Sequence, residues 1–377
     1  MNIAPFQTEH FYAKYEFNTP YQLCNSDCET ITIEALLDMA DMSLEQFGRE
    51  SMGYTESQGN PHLREGISQM YGQTSGSVEA DDVVILGTPI EGIYLSARAL
   101  LQPDDEVIVL SPAYDALINM FEHVVGKENV KKWEFLPAEN GWDLHLDDLR
   151  NLMTSKTKMV VVNFPHNPTG FLPSHEFQQE LIATIEANDL WLFCDEMYFG
   201  LVHAGTPTIP SAADLSKKVI VLSGLSKTYG LPGLRSGWLI IQDKAVRDNI
   251  MNWKFYTSIC PPNPTEFLAV AATRVWEQLR DKNIEIVEHN KKLAEAFFSR
   301  WPDLFTWRPP LAGSTALVGY HVPSVMAVSE QLANEAGVLI HPGTTLGSDD
   351  QHMRIGLGRK GFGKALEKFE EWLKSSM

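Results

Sequence analysis

Long apolar stretches are missing from this sequence, and so is any excess of positive charge. No segment approaches the roughly 18–20 consecutive apolar residues that a membrane-spanning helix needs. The formal net charge is −19, from 49 acidic and 30 basic side chains. A field of this sign repels phosphate backbones and anionic lipid headgroups. We therefore expect neither nucleic acid nor a membrane as a partner, whereas a local basic patch can still bind a small anion.

Cysteine is scarce as well, with four residues in the chain. Cys24 and Cys28 lie close together, but no second Cys or His pair follows at a spacing suited to a metal. The N-terminal segment lacks the basic stretch, apolar run and small-residue cleavage site of a secretory signal. We expect no metal site, reduced thiols and a cytoplasmic location.

The length of the chain favours two domains. A single hydrophobic core stops growing at about 250–300 residues, and this chain has 377. Its apolar share of 44% and charged share of 21% are typical of a globular protein. We predict a large domain of residues 40–265. A smaller α/β domain follows, formed by residues 266–377 together with the N-terminal arm, residues 1–39.

One pattern recurs through the middle of the chain and predicts the fold class. A short apolar, β-branched run ends abruptly in a polar or Gly/Pro-containing loop, and a helix-like segment follows. Nearly continuous apolar runs indicate strands that are buried on both faces. We therefore predict an α/β fold whose large, mainly parallel sheet is covered by helices. The predicted strands are residues 83–86, 107–110, 159–162, 190–193, 219–222 and 238–241.

Other segments show helical periodicity. The apolar positions of residues 175–188 repeat at helical spacing. Residues from about 265 to 300 are predicted to form one long helix that bridges the domains. In the C-terminal third we predict short strands at residues 315–320, 338–341 and 353–358, and a final amphipathic helix at residues 363–375.

Chemically active residues follow five of the predicted strands. Ligands of open parallel sheets bind beyond the carboxyl ends of the strands. Each of these loops taken alone is typical of a turn, a helix cap or a solvated side chain. Together they place an anion-friendly turn, an aromatic ring, an amide, a carboxylate with a phenol, and a lysine at one edge of the sheet. The loops are residues 87–92, 111–114, 163–170, 195–198 and 223–227.

The segment of residues 223–237 resembles the class I/II aminotransferases, fold-type I enzymes that use pyridoxal phosphate. Arg235 stands eight positions after Lys227, as in that family, and the order of the other motifs is similar over roughly residues 35–360. The resemblance implies that Lys227 carries pyridoxal 5'-phosphate as a Schiff base. It implies transfer of an amino group between an L-amino acid and a 2-oxo acid, and it gives no information about which ones.

The resemblance also implies how the cofactor ring would be held. Lys227 would move the proton at the substrate α-carbon, for which a primary amine is suited. Asp195 would keep the pyridine nitrogen protonated. Tyr198 and Asn167 would donate to the phenolic oxygen of the ring. Tyr114 would stack on the ring and fix its plane.

The resemblance also implies a phosphate site, formed by the loops of residues 87–92 and 223–227 together with Arg235. Thr88, Ile90, Ser226 and Arg235 correspond to the phosphate cup of the family, which combines a helix start with a fixed cation. Pro89 departs from the family pattern because an imino acid has no N–H to donate. One backbone contact to the phosphate is therefore expected to be missing.

Two further residues are implied at the edges of the site. Tyr54 resembles the tyrosine that reaches the phosphate of the neighbouring subunit, which implies an obligate homodimer with shared active sites. Arg354 matches the arginine that binds the substrate α-carboxylate with a planar pair of donors. Asn167 is implied as a second substrate-binding residue.

Three further side chains are weaker candidates. His166 and His341 are candidates for substrate contact, although a lone histidine near a site is more often a packing or solvent residue. Lys254 is a candidate for binding a distal acid group of the substrate, although an ordinary solvated lysine is the more frequent case.

Alternative functions stay open at this stage. The same scaffold supports other reactions of pyridoxal phosphate, such as C–S or β-lysis, cyclisation or decarboxylation of an amino acid. Aminotransferase-like domains also serve as ligand sensors fused to DNA-binding modules. That reading is disfavoured, because the sequence shows no additional helix-turn-helix and is acidic.

Overall fold

A computed structural model gives the structure of residues 3–71 and 78–376. Its helices are α1 (Gln7–Tyr15), α2 (Ile33–Met39), α3 (Leu44–Gly48), α4 (Pro61–Ser68), α5 (Pro89–Leu100), α6 (Ala116–Val125), α7 (Leu146–Leu152), α8 (His175–Ala187), α9 (Lys244–Lys254), α10 (Asn263–Arg274), α11 (Trp276–Phe298), α12 (Val325–Ala336) and α13 (Phe362–Ser376). Its strands are β1 (Tyr21–Gln22), β2 (Val83–Leu86), β3 (Glu106–Ser111), β4 (Val130–Glu134), β5 (Leu136–Ala138), β6 (Gly141–Asp143), β7 (Thr157–Asn163), β8 (Trp191–Asp195), β9 (Val219–Gly224), β10 (Gly237–Ile241), β11 (Phe305–Thr306), β12 (Thr315–Tyr320), β13 (Val338–Leu339), β14 (His341–Pro342) and β15 (His352–Gly356).

The large sheet confirms the predicted α/β class. Its strand order is β2-β10-β9-β8-β7-β3-β4. Strand β10 runs antiparallel to both of its neighbours, whereas the other pairs are parallel. Val83 and Ile85 face one apolar layer, and Val84 and Leu86 face the other. Burial on both faces explains why these strands read as continuous apolar runs.

Strand β4 was not predicted from the sequence. It pairs only with β3 at the edge of the large sheet. Its central residues Lys131 and Lys132 are polar, and Trp133 is the buried position of the strand. An edge strand of this kind lacks the continuous apolar run that marked the central strands.

The predicted single helix over residues 265–300 is wrong. The backbone leaves the helical region at Val275, where φ is −128° and ψ is 21°, and the chain forms α10 and α11 instead. Helix α10 packs on α2 and α4 beside the large sheet, whereas α11 packs on α13. The break lets the two helices cover different layers, and apolar residues on both sides of it concealed the boundary.

A second sheet of order β11-β12-β15-β14 forms in the C-terminal part of the chain. The N-terminal arm returns to this region, because β1 pairs in parallel with β13 and Tyr21 lies opposite Val338. The domain boundaries at residues 39/40 and 265/266 stay predictions. Among the helices of the described residues, none combines the length and apolarity needed to cross a bilayer.

Candidate active site

A cavity of about 380 Å³ lies at the carboxyl ends of β7, β8 and β9. Two stretches of chain that are far apart in sequence enclose it. Loops at the strand ends form one wall, here called the strand-end wall: Pro89, Ile90, Tyr114, Asn163, Asn167, Asp195, Met197, Tyr198, Ser226, Lys227, Pro232 and Arg235. The N-terminal arm forms the other, here called the N-terminal wall: Thr8, Glu9, Tyr12, Glu16, Asn25, Ser26 and Asp27. Arg354 of β15 also lines the cavity.

Lys227 lies in the loop that follows β9, and its side chain is partly buried. Its Nζ donates to Ser26 Oγ at 2.7 Å, which links the two walls. Desolvation lowers the pKa of Lys227 below its ordinary value, although the nearby Asp27 carboxylate opposes that shift. A lowered pKa increases the neutral fraction of the amine, which is the nucleophilic form.

Asp195 is the last residue of β8 and is 6% exposed. Its Oδ1 accepts from the Met197 N–H at 3.0 Å. Burial raises the pKa of Asp195 to about 7, while the Met197 hydrogen bond and Lys227 lower it. A carboxylate that is buried without an ion pair among the described residues is suited to a cationic ring nitrogen, because the cation would offset its desolvation.

Asn163 holds the Asn167 loop against β8. Its Nδ2 donates to the Asp195 carbonyl at 2.7 Å, and its Oδ1 accepts from the Asn167 N–H at 2.7 Å. The sequence reasoning assigned no role to Asn163. Its side chain fixes the position of two predicted site residues relative to each other.

Arg235 and the start of α5 form an anion-friendly corner. The Arg235 Nη2 donates to Thr88 Oγ1 at 2.8 Å, and Thr88 is the N-cap of α5. Pro89 occupies the first helical position, where its missing N–H costs no helical hydrogen bond. Ser226 Oγ is buried and has no hydrogen-bond partner among the described residues. An unpartnered hydroxyl beside a guanidinium and a helix start fits a bound phosphate.

Arg354 is 1% exposed and is held from several sides. Its Nη1 donates to Asn167 Oδ1 at 3.1 Å. Its Nη2 donates to Tyr12 Oη at 2.5 Å and to the Cys24 carbonyl at 3.0 Å. The buried Nε has no partner among the described residues. The guanidinium is thus fixed in the cavity with an unused donor, which suits recognition of a carboxylate.

The sequence matches the family model of aminotransferase class I and II over residues 21–361. This chain belongs to that family. Capreomycidine synthase of Streptomyces vinaceus is 31% identical over 71% of this chain and 67% of that protein. An aspartate aminotransferase of Thermotoga maritima is 29% identical over 65% of this chain and 66% of its own length. A solved pyridoxal-phosphate-dependent aminotransferase from Streptococcus suis 89-1591 superposes with a TM-score of 0.91 at 26% identity, covering 100% and 99% of the two chains.

Two aromatic residues expected at a class I/II aminotransferase site lie in the cavity of this chain. Tyr198 is buried, and its Oη donates to the Ser26 carbonyl at 3.1 Å. Burial raises the pKa of Tyr198, so its hydroxyl stays protonated and can donate. The ring of Tyr114 packs at 5.3 Å from the ring of Phe6, and its Oη donates to Glu9 Oε1 at 3.2 Å.

Tyr54 stands apart from the cavity of its own chain. Its side chain is 92% exposed, and it does not line the cavity. In an aminotransferase whose sites are shared between subunits, this residue would act across the interface. That role stays a prediction for this chain.

The three weaker candidates, His166, His341 and Lys254, also lie outside the cavity lining. His166 contacts Thr169 Oγ1 at 2.7 Å, and burial lowers its pKa to about 3. His341 lies under the ring of Tyr12 at 5.0 Å. Lys254 is fully buried, and its Nζ donates to the Ile259 carbonyl at 3.3 Å.

Sequence reasoning missed the side chains that α1 and its C-cap contribute to the N-terminal wall. Glu9, Tyr12 and Glu16 lie three and four positions apart on α1 and its C-cap, so they share one face of the helix. That spacing was a usable signal. The sequence did not show that this face turns toward the strand ends, because distant contacts set the position of α1.

Proposed function

We propose that this protein is a pyridoxal-phosphate-dependent aminotransferase that moves an amino group between an L-amino acid and a 2-oxo acid. The observation that carries the proposal is one cavity with three complementary groups. The amine of Lys227 has a lowered pKa, the carboxylate of Asp195 is buried, and the guanidinium of Arg354 is fixed with a free donor. Family membership and the likeness to the Streptococcus suis enzyme support it.

The residues of the cavity suggest how pyridoxal phosphate would be held. Asp195 would face the ring nitrogen, and Tyr114 would pack on the ring. Asn167 and Tyr198 would donate to the phenolic oxygen. The phosphate group would take the unpartnered Ser226 hydroxyl, the Arg235 guanidinium, and backbone N–H groups of α5 from Ile90 onward.

When bound, the cofactor supplies an aldehyde that condenses with amines and a ring that withdraws electrons from the substrate α-carbon. Arg354 would hold the substrate carboxylate and thereby orient the bonds at the α-carbon. Lys227 Nζ would then take the α-proton and return it on the cofactor side. We expect ping-pong kinetics, in which the first product leaves before the second substrate binds.

The test begins with the purified protein incubated with pyridoxal phosphate. We expect a yellow protein, and borohydride reduction followed by peptide mapping should place the covalent label on Lys227. Lys227→Ala should lose the label and all measurable turnover. The exposed Lys217 offers a matched control, and Lys217→Ala should keep both. A label on another residue, or turnover retained in Lys227→Ala, would refute the proposal.

A second candidate is another pyridoxal-phosphate reaction on the same scaffold. The similarity to capreomycidine synthase favours it, since that relative is named as a synthase rather than an aminotransferase. Cyclisation, β-lysis and decarboxylation would use the same residues, with the substrate oriented differently. Incubation with an amino acid alone separates these cases. An aminotransferase accumulates the amino form of the cofactor, a β-lyase releases ammonia and pyruvate, a decarboxylase releases carbon dioxide, and a cyclase yields a ring-closed amino acid.

We also propose a homodimer in which Tyr54 completes the phosphate site of the neighbouring subunit. Its exposure, together with that of Met52 and Tyr256, supports an interface here. Mixed dimers of Tyr54→Ala and Lys227→Ala subunits would each contain one intact site. After subunit exchange we expect roughly a quarter of the wild-type activity to return, because half of the dimers are mixed and each has one working site. No recovery in confirmed mixed dimers would place Tyr54 outside the neighbour's site.

A cytoplasmic location stays a prediction from the sequence.

A further inference from the structure

The N-terminal wall brings carboxylates into the cavity that the proposed chemistry does not use. Glu9, Glu16 and Asp27 all line it. Asp27 already has an ion-pair partner, because Arg359 Nη2 lies 2.6 Å from its Oδ2. Glu16 is partly buried and makes no ion pair within 4 Å with the described residues. Burial raises the pKa of Glu16, and the like charges of Asp27 and Glu9 add to that shift.

Burial raises the pKa of Glu16 more than the nearby cations Lys227 and Arg359 lower it, and each cation of the cavity has another task. Arg235 donates to Thr88 at the phosphate corner. Arg354 is bound by Asn167, Tyr12 and the Cys24 carbonyl, and it faces the substrate carboxylate in the proposed function. Lys227 is the amine that must become neutral. A negative charge therefore remains at the N-terminal wall.

Independent observations show that this cavity is built for a ligand. Ser226 Oγ and Arg354 Nε are buried and have no partner among the described residues. Both residues line the same cavity as Glu16. Buried donors of this kind are normally satisfied, so they indicate groups that a bound molecule supplies. The leftover carboxylates line the cavity that such a ligand would occupy.

We infer that the amino-acid substrate carries a distal cation, an amine or a guanidinium, which Glu16 binds with help from Glu9. This inference rests on the proposed function and names its substrate class. A distal cation would make charge-assisted hydrogen bonds to Glu16 and offset its desolvation. A distal carboxylate would be repelled. Lys254, the lysine considered for binding a distal acid, does not line the cavity.

The test compares arginine with citrulline, which has nearly the same shape without the charge. The half-reaction of the loaded enzyme is followed through the cofactor spectrum, and the half-saturating amino-acid concentration is measured. We expect the value for citrulline to exceed that for arginine at least tenfold, and glutamate to be weaker still. Lysine and ornithine then show whether a guanidinium or an amine is preferred.

Variants assign the discrimination to Glu16. In Glu16→Gln the citrulline-to-arginine ratio should fall to about one, and in Glu16→Lys glutamate should bind better than arginine. Glu176 is exposed on α8, and Glu176→Gln should keep the wild-type ratio. Circular dichroism confirms that each variant is folded.

The outcomes separate the two proposals. Equal values for arginine and citrulline, a preference for glutamate in the wild type, or an unchanged ratio in folded Glu16→Gln would overturn the inference. The proposed function would stand in those cases, because some amino acid still changes the cofactor spectrum. If no amino acid changes it and Lys227 takes no label, the proposed function fails and the inference falls with it.

Discussion

The two walls of the cavity differ in how the chain builds them. The strand-end wall consists of loops anchored to buried parallel strands, and the family resemblance assigns the proposed chemistry to its side chains. The N-terminal wall is one face of a short helix and a loop, with Glu9 exposed and Glu16 partly buried. Among the described residues, hydrogen bonds from Lys227 and Tyr198 to Ser26 and from Tyr114 to Glu9 join the walls directly. The comparison suggests that reaction type and substrate choice reside in different parts of this molecule.

The largest loss is expected from Asp195→Asn in the strand-end wall. Removing one partner of a buried charge pair costs about 3–5 kcal/mol, so kcat/KM should fall about 1000-fold. The best substrate from the half-reaction screen gives the measurement. The exposed Asp143 provides a control, and Asp143→Asn should stay within about twofold of wild type. A variant that retains more than a tenth of the activity would show that Asp195 does not face a cationic ring.

Arg354→Lys tests the residue that touches both walls. Truncating a buried, hydrogen-bonded charge costs about 2–5 kcal/mol, and lysine lacks the planar donors of arginine. We expect kcat/KM to fall about 100-fold through a higher half-saturating amino-acid concentration, with cofactor affinity nearly unchanged. Arg300 forms an exposed ion pair with Glu370, and Arg300→Lys should have little effect. A loss of cofactor affinity of the same size would instead assign Arg354 to the cofactor.

The strand-end wall should also show a stability cost that depends on pH. The folded pKa of Asp195 is about 7, raised by burial from 3.8. A raised pKa means that the folded protein binds the proton more tightly than the unfolded protein does. The stabilisation from this proton is fully present below about pH 4 and is lost as the pH rises through 7.

Asp195→Asn removes the titrating carboxyl group, so the variant does not lose this stabilisation as the pH rises. The cofactor-free variant should therefore gain stability relative to wild type between pH 5 and pH 8, by roughly 2 kcal/mol. Urea unfolding at both pH values and one protein concentration measures it. Glu196 also has its pKa raised to about 7 by burial, but it is present in both proteins and cancels. An equal difference at both pH values would show that Asp195 does not titrate in this range.

The strand-end wall was largely predictable from the sequence, for a physical reason. Continuous apolar runs mark strands buried on both faces, and parallel strands end at one edge of a sheet. The structure accordingly brings Asn167, Asp195, Ser226 and Lys227 together in one cavity. Their predicted roles follow from the family resemblance and stay predictions.

The α1 part of the N-terminal wall was not predictable, because contacts far apart in sequence position it. The Thr8 N–H donates to Asp115 Oδ2 at 3.3 Å, and Thr8 Oγ1 donates to the Thr345 carbonyl at 3.4 Å. No local pattern in α1 specifies such partners. The same limit explains the wrong single helix, since the break at Val275 reflects packing on two different layers.

The smallest effect that we predict comes from Tyr12→Phe, and it isolates the N-terminal wall. Tyr12 Oη accepts from Arg354 Nη2 and donates to the Cys24 carbonyl at 3.0 Å. A hydrogen bond to a charged group is worth about 1.5–3 kcal/mol. The Asn167 and Cys24 contacts of Arg354 remain in the variant, so we expect the low end of that range, about a tenfold rise in the half-saturating amino-acid concentration.

Tyr15 on the same helix supplies the matched control for this variant. Its Oη donates to Glu330 Oε1 at 2.9 Å, away from the cavity. Tyr15→Phe therefore removes a similar hydroxyl without touching Arg354. If Tyr12 acts by positioning Arg354, the arginine-to-citrulline discrimination should survive in Tyr12→Phe, because both substrates carry the same α-carboxylate. Loss of that discrimination in Tyr12→Phe but not in Tyr15→Phe would mean that the Tyr12 hydroxyl positions Glu16 instead. Tyr12 and Glu16 would then select the substrate together.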